Sequence, residues 1–132
     1  MSWNGIRLLT LDGGGVRGLS SLMILRRLMA TVDTDAPPRP CDYFDMIGGT
    51  STGGLIAIML GRLRMTVDEC VDAYTKLSDR VFEKKSHRIT IKGKLQGRFD
   101  SAELERAVKN IVVGRGLGED VLLKDSDSPC KV

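Results

Sequence analysis

One histidine, three cysteines and few aromatic residues set the first limits on what this 132-residue chain can do. A Ser/His/Asp triad would have to rest on His87. That residue stands amid Lys84, Lys85 and Arg88, whose charges disfavour its protonated form, and no orienting carboxylate adjoins it. It reads as an exposed loop histidine. Cys41, Cys70 and Cys130 are odd in number and widely spaced, so they suggest neither a disulfide framework nor a paired metal-ligand motif. No metal is expected, and a reducing cytoplasmic compartment fits best. Long hydrophobic runs are lacking too: the apolar stretch Leu55 to Leu60 is far too short to span a bilayer and is closed by Arg62 and Arg64. The first residues, Met1 to Arg7, lack the basic patch, apolar run and cleavage site of a secretory signal. Membrane contact is therefore expected to be peripheral. No internal repeat or low-complexity segment occurs.

What is present is the composition of one globular domain, 42% hydrophobic and 28% charged. The formal charge of +3 would permit attraction to anionic lipid but is small enough to be a solvated surface. Nothing points to nucleic acid, and oligomeric state has no signature.

Ile6 to Leu11 is a compact apolar run ending in Asp12 and three glycines, which predicts a buried strand entering a tight loop. From Leu19 the residues Leu22, Met23, Leu25, Leu28, Met29 and Val32 recur at helical spacing, with Arg26 and Arg27 opposite. Ala36 to Pro40 then forms a connector. Tyr43 to Gly48 predicts a second buried strand, followed by a helix, Leu55 to Leu63, that is apolar almost all round. Thr66-Val67-Asp68-Glu69 has the form of a capping box before a stripe of Val67, Cys70, Val71, Tyr74, Leu77 and Val81. Glu83 to Arg98 reads as a basic loop with a possible short strand at Ile89 and Ile91, and docking of that loop on anionic headgroups is the lesser alternative to a solvated surface. Asp100 or Ser101 caps a last helix carrying Leu104, Ala107, Val108, Ile111 and Val112 and ending at Gly114. Leu117 to Pro129 reads as loop with a short strand at Val121 to Leu123, and Cys130 to Val132 as the opening of another strand.

The chemistry lies in two glycine motifs. A serine hydroxyl is a weak nucleophile unless a base takes its proton and fixed donors stabilise the oxyanion it creates. Gly49-Thr50-Ser51-Thr52-Gly53, between a predicted strand and a predicted helix, has the pattern of a nucleophile elbow, whose sharp turn admits no bulk at the flanking positions. The bland alternative is a glycine-rich turn in which Ser51 merely caps the helix. Asp12-Gly13-Gly14-Gly15-Val16-Arg17-Gly18 offers consecutive amides that can converge on an oxyanion. Two nucleotide-binding readings compete for that loop. Gly13-x-Gly15-x-x-Gly18 is formally a dinucleotide fingerprint, with Asp33 about twenty residues on, but Asp33 follows a helix rather than a second strand. The spacing of Gly13 and Gly18 also suits a phosphate loop, yet Leu19 stands where the lysine should be.

Asp12 to Gly18 after the first strand, then Asp42-Tyr43-Phe44-Asp45 and Gly49 to Gly54, with Arg98-Phe99-Asp100-Ser101 opening a helix, resembles the patatin-like phospholipase family from Ile6 to Val132. The resemblance implies an α/β, three-layer fold with a central, mainly parallel sheet flanked by helices, here truncated at the C-terminus. It implies hydrolysis of fatty acyl esters of membrane glycerolipids or phospholipids, with no cofactor. Ser51 would be the nucleophile, Gly49, Thr50, Thr52 and Gly53 its elbow, and Gly13, Gly14, Gly15, Arg17 and Gly18 the oxyanion hole. Within that hole Gly14 and Gly15 would supply the chief amides, and Arg17 would order the loop. Such enzymes pair serine with an aspartate in a downstream Asp-Gly motif. Here the only Asp-Gly is Asp12-Gly13, and Asp100, Asp120, Asp125 and Asp127 stand in capping or loop contexts. Residues 1–132 thus read as the N-terminal, nucleophile-bearing part of such a domain, either active within a longer protein or an inactive lipid-binding or regulatory module.

Overall fold

The computed structural model describes residues 5–82 and 101–132. It divides into two compact units, residues 1–72 with 122–132, and residues 73–121.

The first unit is built on two parallel strands, β1 (Leu8–Leu11) and β2 (Met46–Gly49), in register from Leu8 opposite Met46 to Leu11 opposite Gly49. Parallel neighbours need a crossover, here made by helix α1 (Gly18–Val32) and the short helix α2 (Pro40–Tyr43). β2 leads through Thr50 and Ser51 into α3 (Thr52–Ala57), which widens into a π turn over Ile58–Arg62, where the Leu63 N–H reaches the Ile58 carbonyl at 3.0 Å. This is a small parallel sheet with helices around it, the α/β arrangement expected. α3 packs on both strands and touches α1. Its Ile56 and Ala57, with Met59 and Leu60 of the π turn, are buried, as the all-round apolar pattern requires.

Both strands are shorter than their apolar runs. Ile6 is 83% exposed and Leu8 56%, and of β1 only Leu11 is buried. The Arg7 N–H donates to Asp45 Oδ2 at 2.7 Å while the Arg7 carbonyl accepts from the amides of Asp45 and Met46, so a side chain far along the sequence takes the donor that would extend the ladder. Tyr43 belongs to a helix rather than to β2. Pro40 at the first helical position has its φ set for a helix, and the Phe44 N–H closes that turn on the Pro40 carbonyl at 2.8 Å. α1 buries the narrow stripe Leu22, Leu25 and Met29, leaving Met23, Leu28 and Val32 on its partly exposed flanks.

On the other edge of β2, Lys131 forms a parallel bridge to Met46, with Ile47 N–H to Lys131 O at 2.8 Å and Lys131 N–H to Asp45 O at 2.9 Å. The strand expected at Val121 to Leu123 does not form. Arg62 Nε instead takes the Leu122 carbonyl at 3.0 Å, and both Leu122 and Leu123 are exposed.

Helix α4 (Val67–Phe82) starts in the first unit, with the Thr66 hydroxyl accepting the Glu69 N–H at 3.1 Å, as the capping-box pattern predicts. Val67 and Cys70 are buried there. In the second unit Tyr74, Leu77 and Val81 continue the stripe. Helix α5 (Ser101–Gly114) buries Ala107 and Val112. The left-handed glycine that stops it is Gly116 (φ 80°), with Gly116 N–H to Val113 O and Leu117 N–H to Val112 O completing a Schellman motif. The basic segment Glu83 to Arg98 with His87, the suggested strand at Ile89 and Ile91, and Asp100 lie outside the described residues.

Candidate active site

The turn from β2 into α3 settles whether Ser51 is a cap. Its backbone lies at φ 54° and ψ −127°, a region that costs a residue with a side chain of order 1–3 kcal/mol. Its hydroxyl makes no capping bond. The first amides of α3 are served by backbone instead, Gly53 N–H by Thr50 O at 2.9 Å and Gly54 N–H by Ser51 O at 3.0 Å. Capping therefore does not explain Ser51. Its side chain is exposed, and among the described residues its hydroxyl has no hydrogen-bond partner.

Two glycines permit this turn. A Cβ on Gly49 would collide with the Gly53 carbonyl, and a Cβ on Gly53 with the Leu11 carbonyl. Gly53 thus lets the first turn of α3 lie directly on the end of β1. The glycine-rich loop leaving β1 therefore comes down beside the serine. A Cβ on Gly13 would stand 2.7 Å from Ser51 Cβ and 3.4 Å from Ser51 Oγ.

Hydrogen bonds tie loop to elbow at several points. Thr50 N–H donates to Leu11 O at 3.1 Å. Gly13 N–H reaches Thr50 Oγ1 at 3.4 Å, and Gly14 N–H reaches Thr52 Oγ1 at 3.2 Å. Gly14 (φ 156°) and Gly15 (φ 57°) both adopt conformations that side chains disfavour. The loop then closes as a 3-10 turn, Gly15–Arg17, with Arg17 N–H on Gly14 O at 3.2 Å. The Arg17 side chain lies back along Gly14, its Nε 3.4 Å from where a Gly14 Cβ would be.

The structure thus brings together Gly13, Gly14, Gly49, Thr50, Ser51, Thr52 and Gly53, with the Arg17 guanidinium close to Gly14. Gly18 stands apart from the expected oxyanion hole. It is buried at the start of α1, and its N–H serves the carbonyls of Gly15 and Val16. The Gly14 amide faces a threonine hydroxyl rather than open space. Among the described residues the Thr52 N–H has no acceptor, as befits the first amide of a helix. The residue after the serine could have been singled out from sequence on that ground.

Four aspartates elsewhere have structural work. The Asp33 carboxylate accepts the amides of Asp35 and Ala36, each at 3.0 Å, in a turn after α1, which removes it from the ribose-binding role of a dinucleotide site. Asp42 pairs with Arg64 at 2.7 Å, Asp68 with Arg26 at 3.0 Å, and Asp125 accepts the Asp127 N–H at 3.1 Å. Among the described residues no group of side chains could hold a metal ion, and no helix is long and apolar enough to cross a membrane.

Residues 9–126 match the family described as Patatin-like phospholipase. The chain belongs to the patatin-like phospholipase family. Its similarity reaches 41% identity over 107 residues with calcium-independent phospholipase A2-gamma of Mus musculus, covering 80% of this chain and 13% of that protein. With Phospholipase A I of Arabidopsis thaliana it is 41% over 78 residues, covering 59% of this chain and 6% of that protein. Patatin-2-Kuras 4 of Solanum tuberosum is 47% identical over 58 residues, covering 42% and 16% respectively. The chain therefore spans a small part of the length of the curated relatives it matches. No solved structure gives a significant match. In this patatin-like chain both glycine motifs, Asp12 to Gly18 and Gly49 to Gly54, fall inside the matched residues.

Proposed function

We propose that this chain carries the nucleophile and oxyanion side of a patatin-like serine acyl hydrolase acting on fatty acyl esters of membrane glycerolipids or phospholipids. The observation that carries the reading is Ser51 itself: a strained, exposed serine at a strand-to-helix turn, with a glycine loop packed beside it. The relatives' names, phospholipases and patatins, support the lipid substrate.

In this reading Ser51 Oγ attacks the acyl carbonyl carbon and its proton passes to an aspartate that these 132 residues do not supply in an Asp-Gly motif. The carbonyl oxygen, now negative, is held by backbone amides of Gly14, Gly15 and Thr52, with Arg17 adding positive charge beside the loop. A charged acceptor forms shorter and stronger hydrogen bonds than a hydroxyl, so the oxyanion shares the Gly14 N–H with Thr52 Oγ1. The tetrahedral centre collapses, the lysolipid or glycerol oxygen leaves with the proton, and water then cleaves the acyl-serine to fatty acid and free Ser51. The site would work at a membrane surface from the cytoplasmic side, as a peripheral protein, with no metal or organic cofactor.

A fluorophosphonate probe tests the proposal, because it is attacked by an activated serine and its phosphoryl oxygen takes the place of the oxyanion. Labelling of the purified chain that disappears in Ser51→Ala supports a live nucleophile. The second reading, an inactive lipid-binding or regulatory module, is favoured by the lack of any partner for the Ser51 hydroxyl among the described residues. No labelling of a demonstrably folded chain, together with its retention on phosphatidylcholine vesicles, would select that second reading.

A further inference from the structure

Thr52 is buried, 6% exposed, the only such polar side chain besides Tyr74 and the cysteines among the described residues, and its hydroxyl accepts the Gly14 N–H at 3.2 Å across 38 positions of sequence. Thr50 offers a similar bond to Gly13, but Thr50 is exposed and its contact is longer, at 3.4 Å. Water can replace the Thr50 bond far more readily than the Thr52 bond. Three successive glycines otherwise leave the loop with no side chain to fix its peptide planes, and glycine is the residue with most backbone freedom. Oxyanion donors stabilise a transition state only when they are already in place, so that no reorganisation is needed at the moment of reaction.

We propose that Thr52 is a positioning residue whose buried hydroxyl clamps the Gly14 peptide in register with Ser51, holding the oxyanion loop ready before substrate arrives. Its β-branch is part of the device, because a threonine in a helix has few χ1 choices and the acceptor oxygen stays where the loop needs it. The clamp rests on the reading of Ser51 as the nucleophile. It adds a role to a side chain that the elbow motif leaves unspecified. The hydroxyl takes no part in bond making: Gly14 N–H is donated to Thr52 Oγ1 at rest and shared with the oxyanion when that forms.

The test uses the full chain and two variants. Thr52→Val keeps the shape and removes the acceptor, and Thr52→Ser restores it. The first reading is the second-order rate of fluorophosphonate labelling. We expect a loss of about tenfold in Thr52→Val, less than the roughly 10²–10³ for removal of an oxyanion donor because the Gly14 amide is loosened rather than deleted, and recovery to within about threefold of wild type in Thr52→Ser. The second reading is amide hydrogen exchange at Gly14, which should quicken in Thr52→Val and return in Thr52→Ser. A Thr52→Val chain that labels at the wild-type rate with Gly14 still protected overturns the clamp. So does a loss of labelling that tracks melting temperature in both variants without rescue by serine, since a merely structural threonine would behave that way. If the wild-type chain itself does not label, the reading of Ser51 fails and the catalytic use of the clamp fails with it, whereas the exchange of Gly14 still decides whether Thr52 holds the loop.

Discussion

The carbonyl of Leu11, the last residue of β1, occupies the space that a side chain on Gly53 would need. That approach joins the two glycine motifs, because it brings the loop leaving β1 against the turn that carries Ser51. Gly53→Ala should therefore lower stability by about 3 kcal/mol, the upper end for overpacking, since the obstacle is backbone and cannot rotate away. Gly48 in β2 provides the comparison: a Cβ there meets nothing within 4 Å. Gly48→Ala should be neutral or gain a few tenths of a kcal/mol from the stiffer unfolded chain. Urea midpoints of the two variants check both, and equal midpoints would contradict the close approach.

Thr66 closes the first turn of α4 through its hydroxyl on the Glu69 N–H at 3.1 Å. Thr66→Ala should cost about 1 kcal/mol, as for a typical N-cap, and Thr66→Ser or Thr66→Asp should restore most of it. Thermal melts with the three variants decide the matter. The loss should leave fluorophosphonate labelling of Ser51 at the wild-type rate at temperatures where the chain stays folded.

The elements legible in the sequence were those whose signal is local. The capping box at Thr66, the stripe on α4, the glycine-rich turns and the order of strand, loop, helix, strand and elbow can all be read from neighbouring residues. What was misread depended on partners distant in sequence. Ile6 belongs to an apolar run, yet it stays outside the ladder because Asp45, far along the chain, takes the Arg7 amide. Val121 to Leu123 has the residues of a strand, but Arg62 takes the Leu122 carbonyl instead. Within the site, the sharp turn at Ser51 was legible in the glycine spacing taken together with the strand before it and the helix after it. The bond from Gly14 to Thr52 was not, because two short motifs give no sign of which hydroxyl meets which amide until the strands are aligned in register. The aspartate of the dyad has no counterpart after Ser51 in an Asp-Gly pair, and Asp68 and Asp125 are engaged elsewhere, with Arg26 and with the Asp127 amide.

Cys70 is fully buried on α4, and burial pushes its thiol from the ordinary 9.0 up to about 12. Between those values the unfolded chain has released the proton while the native chain retains it. Fewer protons are then bound in the unfolded state, so stability falls as pH rises, by at most about 1.4 kcal/mol per pH unit. The contribution is fully present below pH 9 and lost by about pH 12. Cys70→Ala should flatten the decline of the urea midpoint over that window relative to wild type, even though the cavity it leaves lowers the midpoint throughout. Identical slopes would mean that the thiol ionises in place. At neutral pH the native Cys70 should also resist alkylation until the chain is unfolded.

Ser51 holds a backbone conformation, φ 54° and ψ −127°, that glycine adopts without strain. Strain of this kind persists only where surrounding structure imposes it: here the ladder of β1 and β2 on one side and the close seat of α3 on the other. Replacing the serine should therefore separate stability from reactivity. Ser51→Gly should be more stable than Ser51→Ala by about 1 kcal/mol, because relief of the strain outweighs the greater entropy glycine gives the unfolded chain. Neither variant should react with a fluorophosphonate. The decisive comparison is with wild type. If Ser51→Gly unfolds at a higher urea concentration than the wild-type chain while all labelling is lost, the turn stores energy in order to present the hydroxyl. If glycine is instead the less stable of the two replacements, the conformation at Ser51 is one the serine tolerates freely, and the exposed hydroxyl must owe its position to the flanking glycines alone.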